Sequence, residues 1–186
     1  MNDQLILKAA HFASVKHRKQ KRKDKDKTPY INHPISVAMI ISEIGEIDDP
    51  EVLAAAILHD TIEDTETSEE EIAERFGEAV MELVLECTDD KKLEKLERKR
   101  LQIVNAPKKS PGAKMIKIAD KTCNLRDLIF DPPKDWSTTR KKEYFEWAKK
   151  VVAGLLGINE ALDACVTSVL QEGLQQLTEA ESHSTQ

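Results

Sequence analysis

An uninterrupted apolar segment, Val52 to Leu58, places the strongest constraint on the fold of this chain. It follows Pro50, a residue that is favoured in the first turn of a helix. Because such a segment is apolar on every face of a helix, it must be buried from several sides. We therefore predict a central helix over about residues 50–62. His59 and Asp60 follow the apolar segment directly, so any chemistry that they perform would start from a rigid central helix.

The rest of the sequence is typical of a soluble helical protein. Charged residues make up 33% of the chain and aromatic residues only 4%, and helix-forming residues occur throughout. Proline and glycine lie between helical segments rather than in one linker, which argues against a domain boundary. A chain of 186 residues is long enough for one good core. We predict an all-α fold of about eight to ten helices, with one domain over residues 1–178 and a flexible tail over 179–186.

Capping and helix-breaking residues suggest the helix boundaries. Ser68 and Glu71 have the spacing of a capping box. The clearest loop runs from Pro107 to Gly112. The expected helices cover about residues 3–20, 33–44, 50–62, 68–76, 78–89 and 91–105, a segment around residue 120 that ends near residue 132, and then 137–157 and 159–177.

Two imidazoles and two carboxylates in this chain could enclose one divalent cation: His33, His59, Asp60 and Asp120. Nitrogen and oxygen donors of this kind suit manganese, iron or zinc. An ion that keeps open coordination positions can turn water into a nucleophile at neutral pH. The set therefore predicts metal-assisted hydrolysis.

Two further carboxylates, Glu63 and Asp64, follow the histidine–aspartate pair at helical spacing. On one continuous helix, His59 would face Glu63. Asp60 would face Asp64 in the same way. Carboxylates one turn from a metal can orient or deprotonate its bound water, which is the role of a general base. A purely structural metal site would need no such neighbours.

Each of these residues also has an ordinary structural explanation. A histidine before a proline, such as His33, is most often a surface or capping residue. Asp120 could be a solvated helix residue that pairs with Lys117 or Lys121, although its apolar neighbours argue against full exposure. Cys123 is more readily explained as a buried thiol than as a nucleophile. The odd number and wide spacing of the cysteines fit a reducing compartment.

Three ordered segments resemble the HD superfamily of metal-dependent phosphohydrolases, and most closely the hydrolase domain of RelA/SpoT proteins in its stand-alone form. The segments are Pro-Tyr-Ile-Asn-His-Pro at 29–34, Leu-His-Asp-Thr-Ile-Glu-Asp-Thr at 58–65 and Ala-Asp-Lys-Thr-Cys-Asn-Leu at 119–125. The resemblance covers about residues 5–162, nearly the whole chain.

This resemblance implies a guanosine tetraphosphate 3′-pyrophosphohydrolase, which converts ppGpp or pppGpp into GDP or GTP and pyrophosphate. It implies that one Mn²⁺ is held by His33, His59, Asp60 and Asp120. Glu63 and Asp64 would orient and activate the attacking water. The positions that match nucleotide and phosphate contacts of the family are Arg18, Lys19, Lys95, Asn124, Arg140 and Tyr144.

Two other functions remain open on the sequence alone. A related phosphohydrolase could act on a different nucleotide, such as the 2′-phosphate of NADPH, because the metal chemistry does not specify the leaving group. The basic segment 16–27 could bind nucleic acid, but the net charge of −6 and the lack of interleaved aromatic residues disfavour this. We expect a cytoplasmic enzyme with a small-molecule substrate, no membrane segment and no obligate protein partner.

Overall fold

The computed structural model describes residues 2–184, which form helices, turns and loops and a single isolated β-bridge between Lys21 and Pro29. Over this range there are ten α-helical segments, in agreement with the all-α prediction. A π-helical turn, Ile40–Ile44, follows the second helix, and a 3₁₀ turn, Ala106–Lys108, precedes the eighth. The helices are α1 (Asn2–Lys16), α2 (Asn32–Met39), α3 (Pro50–Leu58), α4 (Thr61–Asp64), α5 (Glu69–Phe76), α6 (Glu78–Cys87), α7 (Lys95–Asn105), α8 (Pro111–Phe130), α9 (Thr138–Ala153) and α10 (Glu160–Ser184).

Helix α3 lies at the centre of the fold, as its apolar sequence predicted. It packs against α1, α2, α6 and α8, and every residue from Val52 to Leu58 is buried. The side chain of Asp49 caps its N-terminus by accepting hydrogen bonds from the backbone N–H groups of Glu51 and Val52. Helix α8 is buried along most of its length and contacts α9 and α10 on its other side. Residues at the end of α3 and in the middle of α8 are therefore held by rigid surroundings.

The single helix expected over residues 50–62 is two helices. Helix α3 ends at Leu58, and α4 begins at Thr61. The Thr61 hydroxyl donates a hydrogen bond of 2.7 Å to the carbonyl of Leu58, and Nδ1 of His59 donates one of 2.8 Å to the carbonyl of Ala56. Side chains thus take carbonyl oxygens that a continuing helix would pair with backbone N–H groups. The prediction of a continuous helix is wrong, although the backbone N–H of Asp64 still donates a hydrogen bond of 2.9 Å to the carbonyl of Asp60.

Helix α10 extends further than the sequence suggested. The helix expected to end near residue 177 continues to Ser184, and the flexibility of residues 179–186 stays a prediction. Leu177 is buried and anchors the preceding turn, and Gln175 donates a hydrogen bond of 2.9 Å to the side chain of Glu179. Once a helix is anchored, each further residue adds one backbone hydrogen bond without a new nucleation cost. A polar sequence can therefore continue it; the last two residues lie outside the described range.

Candidate metal centre

Four side chains from distant parts of the sequence meet at one point. The Nε2 atom of His33, on α2, lies 3.2 Å from Oδ1 of Asp120 and 3.9 Å from Oδ2 of Asp60. The Nε2 atom of His59 lies 3.2 Å from Oδ2 of Asp60 and 3.9 Å from Oδ1 of Asp120. Two imidazole nitrogens and two carboxylate oxygens therefore alternate around one small volume. The fold brings together the complete set that the sequence singled out.

Hydrogen bonds from outside the cluster orient these groups. Because Nδ1 of His59 donates to Ala56, its Nε2 atom is left with a lone pair; this nitrogen is buried and finds no hydrogen-bond partner within the described residues. Asn124 donates a hydrogen bond of 2.6 Å to Oδ1 of Asp120. Outer hydrogen bonds of this kind fix the orientation of metal-binding side chains. Since a buried polar atom without a partner is unfavourable, the unpaired Nε2 atom of His59 fits a cation ligand.

Burial opposes protonation of His59, but the neighbouring carboxylate of Asp60 raises its pKa above the ordinary value. For His33 and Asp120, burial and charge favour the metal-binding protonation states. Burial lowers the pKa of His33, which favours the neutral imidazole that can coordinate a metal. Burial opposes ionisation of Asp120, but Lys121 and Lys117 hold its pKa well below the usual range. Asp120 therefore pairs with both lysines, as the ordinary explanation suggested, yet it is buried and also contacts His33. It is not a solvated helix residue.

The two carboxylates proposed for catalysis have different surroundings. Glu63 accepts a hydrogen bond of 3.1 Å from the backbone N–H of Asp89, and Nη1 of Arg98 lies 3.9 Å from its Oε1 atom. Burial raises the pKa of Glu63. Asp64 forms an ion pair with Lys91, whose side chain is half exposed. Glu63 is thus suited to accept a proton, while Asp64 lies at the more solvated rim of the site.

A cavity of about 360 Å³ adjoins the cluster. Its lining includes Tyr30, Asp64 and Asn124, and it also includes Arg22 and Tyr144. One wall continues as three aromatic rings in edge-to-face contact, with centroids 5.7 and 5.1 Å apart. The lining combines basic residues, aromatic rings and four aspartates, Asp24, Asp64, Asp127 and Asp131. The aromatic rings suit a base, and the basic side chains suit its phosphates. The three rings are those of Trp136, Tyr144 and Trp147.

Three of the residues matched to nucleotide contacts lie at or next to this cavity. Asn124 and Tyr144 line it directly. Arg140 lines an adjoining cavity, where its guanidinium group lies 4.3 Å from the centroid of the Trp136 ring.

The other three matched residues lie outside both cavities. Arg18 and Lys19 are exposed in the turn after α1. Lys95 is exposed at the start of α7. These cations can contribute to the electrostatic potential around the site, but they do not line the two cavities described above.

Sequence reasoning missed Arg22 and Tyr30. Arg22 donates a hydrogen bond of 3.1 Å to Asn124 and pairs with Asp127, and it lines the cavity. It was one of many cations in the segment 16–27, and nothing in the local pattern separates it from the others. Tyr30 was more accessible to prediction, because it lies within the Pro-Tyr-Ile-Asn-His-Pro segment that carries His33.

The buried thiols give no support to covalent catalysis. Burial raises the pKa of Cys123 to about 12 and that of Cys87 to about 12. A thiol must be ionised to act as a nucleophile, so neither residue has the environment of a reactive cysteine. This agrees with the assignment of the buried cysteines to packing.

Comparison with known proteins identifies the family. An HD-domain family model matches residues 9–159. The guanosine-3′,5′-bis(diphosphate) 3′-pyrophosphohydrolase MESH1 of Xenopus tropicalis is 57% identical over 159 residues, which are 86% of this chain and 89% of the relative. The protein of the same name from Homo sapiens is 54% identical over 167 residues, 90% of this chain and 93% of the relative.

Solved structures agree with these matches. A metazoan ortholog of SpoT, which hydrolyses ppGpp and plays a role in starvation responses, has a TM-score of 0.88 at 50% identity and covers 91% of this chain and 96% of its own. The protein lmo0812 of Listeria monocytogenes has a TM-score of 0.63 at 27% identity and covers 78% of this chain and 98% of its own. With its four-residue cluster, its helical fold and these similarities, the chain belongs to the HD-domain family and, within it, to the group of the MESH1 3′-pyrophosphohydrolases.

Proposed function

We propose that this protein is a manganese-dependent hydrolase that removes the 3′-pyrophosphate of ppGpp or pppGpp. The products are GDP or GTP and pyrophosphate. The alternating ring of imidazole nitrogens and carboxylate oxygens, with neighbouring atoms 3.2 to 3.9 Å apart, is the observation that carries the proposal. The substrate is supported by the MESH1 relatives, which are named as pyrophosphohydrolases of this nucleotide and match most of the chain.

The donor set suits one manganese ion. His33, His59 and Asp60 each offer a ligand atom within 4.8 Å of the others, and Asp120 completes the set. Two nitrogen and two oxygen donors are compatible with manganese, and further coordination positions would remain for water and substrate. When bound, the ion would supply positive charge that acidifies water and polarises the phosphoryl group.

The chain's own residues then account for the proton transfers. Glu63 and Asp64 orient the attacking water, and Glu63, with its raised pKa, accepts its proton. The water oxygen bonds to the phosphorus attached to the ribose 3′-oxygen. The bond from that phosphorus to the 3′-oxygen breaks, and the 3′-oxygen takes up the proton that Glu63 accepted from the water. Pyrophosphate and the nucleoside 5′-diphosphate or 5′-triphosphate, GDP or GTP, leave as separate products.

Substrate binding divides between the cavity and its surroundings. Asn124 and Tyr144 line the cavity and are proposed to contact the nucleotide, with Arg140 reaching it from the adjoining cavity. The exposed cations of the remaining matched positions are proposed to attract the polyanion before it docks. These exposed residues are Arg18, Lys19 and Lys95.

We further propose that the protein acts in the cytoplasm on a free nucleotide. None of the helices in the described part of the chain combines the length and the apolar composition that a membrane span requires. The basic segment 16–27 contributes Arg22 to the cavity wall, which favours phosphate binding over nucleic-acid binding as its role.

The decisive experiment measures pyrophosphate release from ppGpp by chelator-stripped protein, with and without added Mn²⁺. We expect turnover only with the metal and none in His59→Ala. His11→Ala is the matched control, because His11 is exposed on α1, and it should retain full activity. Phosphate release from NADPH is measured in parallel. A folded, metal-loaded protein that released phosphate from NADPH but no pyrophosphate from ppGpp would overturn the substrate assignment.

A further inference from the structure

We propose that Lys117 and Lys121 are positioning residues of the metal centre, an inference that rests on the proposed function. They hold Asp120 so that only one of its oxygens is available to the metal, and they offset the negative charge of the ligand set. The metal is thereby bound less tightly than the ligands alone would allow. The phosphate-rich substrate is bound more tightly than it would be without the two lysines.

The two oxygens of Asp120 face different partners. Oδ1 lies 3.2 Å from Nε2 of His33 and accepts the hydrogen bond from Asn124, so it belongs to the cluster. Oδ2 lies 2.9 Å from Nζ of Lys121 and 3.6 Å from Nζ of Lys117. A carboxylate can bind a cation through one oxygen or through both. With Oδ2 engaged by two ammonium groups, Asp120 offers only Oδ1, and a coordination position stays open.

Both ammonium groups are fixed inside the protein. The exposed fraction is 7% for Lys117 and 3% for Lys121. Lys117 also donates to the carbonyl of Cys87 at 3.4 Å, and Nζ of Lys121 lies 5.1 Å from the centroid of the Trp147 ring. Lysine is almost never this deeply buried without a partner, and a buried ion pair contributes little net stability over apolar packing. A contribution to the stability of the fold therefore does not by itself explain why two buried lysines lie next to Asp120.

Charge balance gives a stronger reason. The imidazoles of the ligand set are neutral when they bind a metal, so the set carries the negative charge of Asp60 and Asp120. The positive charges of the two ammonium groups cancel the negative charges of these two carboxylates. With a divalent ion bound, the net charge of the centre is therefore the charge of the ion itself. Glu63 and Asp64 lie nearby and would otherwise repel phosphates. At low local dielectric such charge differences act strongly on both metal and substrate.

The test compares Lys121→Met and Lys117→Met with Lys114→Met, a half-buried lysine on the same helix. Isothermal titration of Mn²⁺ alone into chelator-stripped protein is the first measurement. We expect the two buried-site variants to bind Mn²⁺ about tenfold more tightly than wild type, and Lys114→Met to bind as wild type does. The KM for ppGpp should rise by a similar factor in both. Lys121→Arg, which keeps the charge, should bring the KM back toward the wild-type value.

Several outcomes separate this inference from the proposed function. If wild type bound Mn²⁺ and hydrolysed ppGpp, but both variants bound Mn²⁺ equally or more weakly, only the inference would be overturned. If wild type bound no Mn²⁺, both the inference and the proposed function would be overturned. Circular dichroism and thermal unfolding of the metal-free variants check their folding. Lys121→Gln, which keeps a donor for Asp120 without the charge, replaces any methionine variant that does not fold and carries the same expected tightening.

Discussion

The hydroxyl group of Tyr30 donates a hydrogen bond of 2.5 Å to Oδ2 of Asp60, the oxygen that also lies 3.2 Å from Nε2 of His59. Burial and the charge of Asp60 raise the pKa of Tyr30, so its phenol stays protonated and remains a donor. The Tyr30 ring is held in turn between His17 and His33, at centroid distances of 4.9 and 5.8 Å. Tyr30 thus fixes one carboxylate of the cluster from outside it.

Tyr30→Phe should weaken the metal centre without unfolding the protein. The ring packing is kept, and only the hydrogen bond to Asp60 is lost. Losses of outer hydrogen bonds to metal ligands typically cost about 10-fold to 100-fold in metal affinity or activity. Titration with Mn²⁺ and the kcat on ppGpp measure both effects. Unchanged values for both would mean that Asp60 keeps its orientation without this donor.

Metal removal should lower the stability of the wild-type protein by an amount that depends on metal concentration. A ligand present at a hundred times its Kd stabilises the folded state by about 2.7 kcal/mol if it does not bind the unfolded chain. We expect chemical denaturation with and without Mn²⁺ to show this difference in wild type and to lose it in His33→Ala. The same stabilisation in His33→Ala would place the main binding site elsewhere.

The pH dependence of kcat should reflect Glu63. A general base must be ionised, so activity falls as the pH drops through the pKa of Glu63, which burial raises above that of an ordinary glutamate. Arg98→Met removes the cation 3.9 Å from Oε1 of Glu63, which raises this pKa further. The acid limb of the kcat profile should therefore move to higher pH.

The matched control for this shift is Arg100→Met. Arg100 lies on the same helix but is exposed and pairs with Glu97 instead. We expect it to leave the acid limb where wild type has it. Identical limbs in all three proteins would argue that Glu63 is not the group whose ionisation limits the rate.

The central helix and the set of cluster residues could be predicted because both depend on patterns within short segments. Burial of Val52 to Leu58 follows from their composition. Each histidine and aspartate alone has an ordinary explanation, but together they form a donor set for one cation, in segments that resemble a known family. The break after Leu58 could not be predicted, because it depends on competition between side chains and backbone N–H groups for the same carbonyls. Local propensity on either side of the break favours a helix.

The choice among the basic residues of segment 16–27 could not be predicted either. Arg18 and Arg22 have similar neighbours in the sequence. The bridge between Lys21 and Pro29 folds the segment back on itself, and Arg22 thereby reaches Asn124. A contact of this kind depends on the tertiary fold, which the pattern of neighbouring residues in the sequence does not predict.

Arg22→Met should therefore impair substrate binding more than Arg18→Met does. A hydrogen bond to a charged group contributes about 1.5–3 kcal/mol, which corresponds to a KM increase of about 10-fold to 150-fold for Arg22→Met. Arg18 is exposed, so its contribution is a long-range attraction that salt screens. We expect Arg18→Met to raise the KM only a few-fold at low salt and not at high salt. Equal effects at high salt would contradict the cavity assignment of Arg22.

Gly173→Ala tests the packing of α10 against α9. On helix propensity alone, alanine would stabilise the protein by about 1 kcal/mol. A Cβ atom at this position would, however, overlap with Cε1 and Cζ of Phe145, which is buried with 1% of its surface exposed. Because an overpacked core typically loses about 1–3 kcal/mol, we expect a lower free energy of unfolding in urea. Ser168→Ala, at an exposed position of the same helix, should be neutral or slightly stabilising. If Gly173→Ala were as stable as Ser168→Ala, the close contact between α9 and α10 would have to be looser than this geometry shows.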